Sequence, residues 1–256
     1  MSLPTASSAS SHLPKPGTLY VVATPIVNLQ DLTLRAKTIL SQVQAVIAED
    51  TRHARHLMQC LLLSTPILSA HLRKEHLAAE QVLKRLEAGE HLALISDAGT
   101  PGVSDPGGRV VQAVLDAGYN VIPIPGACSA VAAWSASGFT DTQFLFYGFL
   151  PPKTQARQTI LQSLAHHTYP TIFYEAPHRI RDMLNDLLSV FGNRPTTLAR
   201  ELTKTYETIK RAPLEQLVHW ASEDVNVDRG ELMIEEWFVV PEFLVVKSHK
   251  TKTGYL

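Results

Sequence analysis

Cysteine is scarce in this chain, and so is any excess of charge. Two cysteines among 256 residues, Cys60 and Cys128, cannot build a disulfide framework, so a reducing cytoplasm is the expected setting. Lys and Arg number 23 against 24 Asp and Glu, a net charge of -1. That excludes a globally basic nucleic-acid binder and leaves room for a local basic patch. No apolar run approaches the ~20 residues that span a bilayer, so no membrane partner is expected. Residues 1–16, MSLPTASSASSHLPKP, carry Ser and Pro without an apolar h-region and read as a disordered tail, not a signal peptide. Also missing are G-x-x-x-x-G-K-[ST], G-x-G-x-x-G and G-x-S-x-G, which removes the P-loop, the dinucleotide fingerprint and the hydrolase elbow. His53, His56 and Cys60 share helical spacing, but no second cluster completes a metal site, and no metal is expected.

What the chain does have is alternation. TLYVVAT, VQAVIAED, HLALI and NVIPI read as strands. Between and after them, DLTLRAKTILSQ, LAAEQVLKRLEAG, RVVQAVLDAG and ACSAVAAWSASG read as helices, the last three stopped at Gly89, Gly118 and Gly138. This β-α order predicts a mainly parallel sheet with helices on both faces, residues 17–140. Near FLFYGFLPPK the pattern changes, and a second α/β domain with a mixed sheet is expected over 141–240, joined near 139–143 and followed by a polar tail over 241–256.

SDAGTPGVSDPGG, Ser96–Gly108, packs 4 glycines, 2 prolines and 2 aspartates into the turn after HLALI. Glycines there let backbone approach a ligand, and carboxylates suit a cationic ligand better than a triphosphate. ATPIVNL and IPGACSA leave neighbouring strands in the same way, and open α/β sheets bind ligands at such strand ends. AEDTRHAR adds Glu49, Asp50 and Arg52 to that rim. In the second domain, FYEAPHR and ARELTKTYE bring aromatic, acid and base together. Phe173 and Tyr174 could stack on an adenine or a base, while Arg179, Arg200 and Lys204 could take phosphate oxygens. Each of these segments also has a plain structural reading: helix caps for the first-domain aspartates, and a salt-bridge network for the second-domain charges.

ATPIVNLQDLT, AEDTRH, LISDAGTPGVSDPG, IPGACSA, FYGFLP, IFYEAPHR and LARELTKTYE, in this order, resemble the small-subunit ribosomal RNA methyltransferases of the tetrapyrrole methylase superfamily. The resemblance runs from about Gly17 to Ile234. It implies two α/β/α domains, a cleft holding S-adenosyl-L-methionine, a homodimer, and 2′-O-methylation of a cytidine in the decoding region of 16S rRNA in the small ribosomal subunit. On that reading the cofactor site takes Thr24, Pro25, Ser96, Asp97, Ala98, Gly99, Thr100, Asp105, Gly126, Ser129 and Ala130, with Tyr174 and Arg200 from the second domain. Lys204, Glu201 and Arg179 are the catalytic candidates, and Arg52, His53 and His178 the RNA-binding ones. Two features depart from the family pattern. Val27 stands where glycine is usual in the first motif, and after RGELMI the chain no longer follows the family's final strand. Two rival readings stay open: carbon methylation of a tetrapyrrole on the same fold, and a non-catalytic RNA-binding relative.

Overall fold

A computed structural model describes residues 17–69 and 75–224, together with the backbone of 234–235, 243–246 and 249–250. The N-terminal tail expected over 1–16 lies outside the described residues.

The first domain is a five-stranded parallel sheet in the order β3-β2-β4-β1-β5. Its strands are β1 (Thr18–Val22), β2 (Ala45–Ala48), β3 (Ile67–Ser69), β4 (Leu92–Ile95) and β5 (Asn120–Ile124). The helices of this half are α1 (Leu34–Gln42), α2 (Thr51–Cys60), α3 (Glu75–Glu87), α4 (Gly108–Asp116) and α5 (Ser129–Ala136). The strand period of two sorts the side chains cleanly between the two faces. Tyr20, Val22, Val46, Ala48, Ala93 and Ile95 pack with α1 and α2; Leu19, Ala45, Ile47, Leu92 and Leu94 pack on the other face with α3 and α4. Both faces are covered, which is why VIA and LAL read as unbroken apolar runs.

Local chemistry sets the boundaries. Thr33 caps α1 by accepting the Ala36 N–H at 3.1 Å, and Asp50 caps α2 by accepting the Arg52 N–H at 2.8 Å. Gly118 ends α4 at φ +78°, a conformation that favours glycine. Pro123 inside β5 is tolerated because β5 is an edge strand, where the missing N–H breaks no ladder. β3 escapes sequence reading: two partly buried residues and an exposed Ser69 give no periodic signal.

The second domain is a mixed sheet in the order β6-β7-β11-β8-β9. β6 (Leu145–Phe149), β7 (Thr171–Tyr174), β11 (Phe243–Val246) and β8 (Pro195–Arg200) run parallel, and β9 (Thr208–Pro213) is antiparallel to β8. The helices α6 (Thr154–Leu164), α7 (Ile180–Phe191) and α8 (Leu214–Glu223) accompany it. The segment assigned to a polar tail from 241 onward therefore contains a central strand. The backbone of Phe243–Val246 fills the slot between β7 and β8, whereas Ile234–Glu235 (β10) pairs with His249–Lys250 (β12) in a separate antiparallel ladder. The apolar run FLVV meets the unpaired edges of two parallel strands, and the ladder bonds gained outweigh the polar composition around it.

The two domains share a core. Ile26 from the loop after β1 and Ala130 and Ala133 from α5 are buried with Phe173, Leu198 and Leu217 of the second half. Trp134 packs on Phe139 and Phe144 at ring-centroid distances of 5.8 and 4.7 Å, fastening the connection from α5 to β6.

His91, just before β4, is 7% exposed, and its Nδ1 has no hydrogen-bond partner. Burial pushes its pKa below the ordinary 6.5. Because the folded imidazole resists protonation more than the unfolded one, its stabilising effect is complete above pH ~6.5 and declines as pH falls through the lower folded pKa. The melting temperature of His91→Phe is therefore expected to fall less between pH 7 and pH 5 than that of the wild type.

Candidate functional site

The chain leaves β1 toward β2 on one side and returns to place β4 and β5 around β1, so the strand order reverses beside β1. Crevices at such reversals are where open α/β sheets bind ligands. Here the loop after β4 is locked to the loop after β1 by a short bridge. The Thr24 N–H donates to the Gly99 carbonyl at 2.8 Å, and the Gly99 N–H donates back to Thr24 at 3.1 Å. Gly99 makes this turn at φ +76°. The Thr100 hydroxyl donates to the Ala127 carbonyl at 3.0 Å, tying the same loop to the one after β5. Gly126 allows the close approach behind it, since a Cβ there would sit 2.9 Å from the Cβ of Ala23.

These three loops and the end of β7 line a narrow pocket. Ala98, Gly99, Thr100, Asp105, Ser129 and Tyr174 line it, together with Ile26, Val103, Ser104 and Cys128. The Tyr174 hydroxyl lies 3.3 Å from Ser129 Oγ, a contact across the two domains. Ser104 adopts φ +62° in the same loop.

Other expected members sit around the pocket without lining it. Thr24, Pro25, Ser96 and Ala130 are buried and act as scaffold: the Thr24 hydroxyl donates to Ser96 and Gly99 carbonyls, each at 3.3 Å. Asp97 turns the other way. One of its oxygens accepts the Asp50 N–H at 3.3 Å, and the other is 3.3 Å from His53 Nδ1, so this carboxylate fixes the start of α2. Arg200 donates to Asp224 at 3.0 Å, away from the pocket lining. Arg52 is exposed and closes on Asp50, whose carboxyl its guanidinium hydrogen bond holds down at about 2. His178 is exposed beyond β7. Among the described residues no three His, Cys, Asp or Glu side chains gather as a metal site; His56 Nδ1 and Cys60 Sγ are 3.7 Å apart.

Glu175, within FYEAPHR, is the most deeply buried acid among the described residues of the second domain. It is fully buried; its Oε1 accepts from the Ala176 N–H at 2.8 Å and from Arg179, whose guanidinium closes on it as an ion pair. Burial nevertheless pushes its carboxyl above the usual range. Arg179 is thereby committed to Glu175 and is less available to a ligand. Phe173 is fully buried and Tyr174 nearly so, which removes Phe173 as a stacking surface.

The ARELTKTYE loop is bound to the pocket wall. The Asn28 N–H donates to Thr203 Oγ1 at 3.4 Å, two residues from the pocket-lining Ile26. Glu201 and Thr203 hold positive φ, +55° and +67°, which costs about 1–3 kcal/mol each for residues with a Cβ. The Lys204 ammonium donates to Glu201 at 3.1 Å, and burial lowers its pKa from the ordinary 10.5. Val27 is absent from the described non-glycine residues at positive φ, so the position that is glycine in the family motif carries no left-handed strain here.

The tetrapyrrole (corrin/porphyrin) methylase model matches residues 18–218. Ribosomal RNA small subunit methyltransferase I of Pseudomonas aeruginosa is 46% identical over 219 residues, 85% of this chain and 78% of that protein. Its counterpart from Escherichia coli O157:H7 is 41% identical over 237 residues, 92% and 79% of the two chains. Among solved structures, a uroporphyrin-III C-methyltransferase from Thermus thermophilus complexed with S-adenosyl homocysteine superposes with TM-score 0.61 at 19% identity, covering 88% of this chain and 98% of that one. The methyltransferase CobJ superposes with TM-score 0.60 at 17% identity, covering 93% and 97%. At those identities the solved structures establish the fold.

Proposed function

The chain belongs to the tetrapyrrole methylase family, and we propose that within it this protein transfers a methyl group from S-adenosylmethionine to small-subunit ribosomal RNA, at the 2′-hydroxyl of a cytidine. The identities of 41–47% to relatives named as ribosomal RNA methyltransferases favour RNA over a tetrapyrrole acceptor. The uroporphyrin-III C-methyltransferase structure, at 19% identity, shares the fold with this chain.

The observation that carries the reading is the pocket shared by both domains. Its walls suit the cofactor: glycine-permitted backbone at Gly99, the small side chains of Ala98 and Ser129, and the carboxylate of Asp105 toward a cationic sulfonium. When bound, S-adenosylmethionine supplies an electrophilic methyl group. Tyr174 and Ser129 hold the seam between the domains, and on this reading Lys204, as the neutral amine paired with Glu201, takes up the hydroxyl proton. The methyl acceptor must be presented in line with the leaving sulfur, and such positioning is worth about 7–11 kcal/mol.

Incubation with methyl-labelled S-adenosylmethionine and unmodified small subunits tests the reading. Label in 16S rRNA at a ribose 2′-oxygen is expected, and 16S rRNA that stays unlabelled would overturn it. Asp105→Asn is expected to weaken S-adenosylmethionine binding in calorimetry by about 2- to 5-fold, the size of a partly exposed charge interaction. It should leave the neutral S-adenosylhomocysteine unaffected.

The same reading includes a homodimer in a reducing cytoplasm. Exposed Val131 on α5, with half-exposed Phe144 and Tyr147 nearby in sequence, offers apolar surface for self-association, and Cys60 and Cys128 are free thiols. Among the described residues no helix is long and apolar enough to cross a membrane.

A further inference from the structure

Of the two aromatics expected to stack on a base, Phe173 is buried in the core and Tyr174 faces the pocket, so neither is offered to the outer surface. Another aromatic is. Tyr206 is 79% exposed at the tip of the loop between β8 and β9. A lone exposed tyrosine is ordinary on a protein surface, and this one is set apart by how firmly its loop is held.

Backbone bonds close the turn on both sides of the tip: Lys204 N–H to Glu201 carbonyl at 2.9 Å, and Glu207 N–H to Lys204 carbonyl at 3.2 Å. The Thr208 hydroxyl donates to the Tyr206 carbonyl at 3.1 Å. Glu201 and Thr203 are kept in left-handed conformations that residues with a Cβ rarely adopt. Both acids of the loop are turned to internal partners, Glu201 to Lys204 Nζ and Glu207 to the Thr203 N–H at 2.6 Å. The Glu201 charge is thereby paired and the Glu207 carboxylate is held in place, so the loop presents the Tyr206 ring on a fixed base. The loop is also fixed relative to the pocket, because Thr203 is bonded to the segment that contributes Ile26 to the pocket wall.

We infer that Tyr206 is a stacking platform for an unpaired nucleobase of the RNA substrate, set beside the pocket so that a splayed-out nucleotide is steadied while its neighbour or its own ribose enters. Sequence-selective RNA recognition works on unstacked bases, and aromatic side chains are the surfaces that hold them. A base has no net charge, so a neutral ring with the nearby carboxylates engaged suits it better than a phosphate. The inference rests on the RNA reading for its occupant, and it deepens that reading by naming how the nucleotide is held.

The test uses the full-length protein and a fluorescein-labelled, single-stranded, cytidine-containing 12-nucleotide RNA, followed by anisotropy, so that binding is measured without turnover. Stacking on one aromatic predicts that Tyr206→Ala weakens binding by about 5- to 100-fold, while Tyr206→Phe and Tyr206→Trp stay within about 2-fold of wild type. S-adenosylmethionine affinity and melting temperature should be unchanged in all three variants, as befits a side chain with so little burial. Equal binding by wild type and Tyr206→Ala overturns the inference, and so does a wild type that fails to bind the strand. If the strand binds through Tyr206 but small subunits acquire no label, the stacking site stands and the methyltransferase assignment falls.

Discussion

Lys204→Met is expected to lower methyl transfer to small subunits by about 10²- to 10⁴-fold, the range lost with a general base, while S-adenosylmethionine affinity stays within about 2-fold of wild type. The proposed acceptor, a ribose hydroxyl, is a poor nucleophile, so on that reading a group that accepts its proton is the costliest one to remove. Burial lowers the Lys204 pKa from 10.5, which makes the neutral amine more accessible than in an exposed lysine. The Glu201 carboxylate at 3.1 Å works in the opposite direction and retains the proton once it is taken. The sign of the pH dependence follows. A base must be deprotonated to act, so activity should rise with pH and level off below 10.5. Lys204→Arg separates base from cation, because arginine keeps the charge and cannot give up its proton at accessible pH. Failure of arginine to restore turnover supports the base; full restoration would assign Lys204 to stabilising a developing alkoxide instead. Circular dichroism and melting temperature distinguish either outcome from a collapsed loop.

Much of the fold could be read from the sequence, for reasons particular elements make plain. β4 and α4 are legible because LALI is an unbroken apolar run of strand length and RVVQAVLD carries one apolar stripe, with Gly118 to end the helix. Strand Phe243–Val246 is not, since its partners β7 and β8 lie some tens of residues upstream, and parallel pairing leaves no local trace. The site divides along the same line. Ala98, Gly99, Thr100, Asp105 and Ser129 could be placed at one pocket because strand-end loops on adjacent strands must converge. Direction could not be read. Asp97 and Asp105 stand in the same loop, yet Asp97 caps into the start of α2 while Asp105 lines the pocket. Arg179 and Arg200 have the composition of ligand-binding cations, but each finds an acid of its own chain first. Val103 and Cys128 carry no distinguishing chemistry as pocket walls; only their position on strand-end loops marks them.

Asp186→Ala is expected to destabilise the protein by about 3–5 kcal/mol, because it strands Arg157. That arginine is 1% exposed on α6, and its guanidinium donates to Asp186 on α7 at 2.6 Å through Nε and lies 2.5 Å from the same oxygen through Nη2. A buried cation without its acid has no water to replace it. For a chain of this size the loss corresponds to a melting temperature lower by about 6–20 °C. Replacing both partners, Arg157→Met with Asp186→Leu, should recover most of that loss, since two apolar side chains leave no charge uncompensated. A double variant as unstable as Asp186→Ala would mean that the arginine serves another partner. Glu175 is that candidate partner: Arg157 is one of the cations whose charge counters the upward push of burial on its carboxyl. Without Arg157, the Glu175 carboxyl should rise further and hold Arg179 less firmly. The double variant should still melt near wild type at neutral pH, because Arg179 remains as a cation beside Glu175.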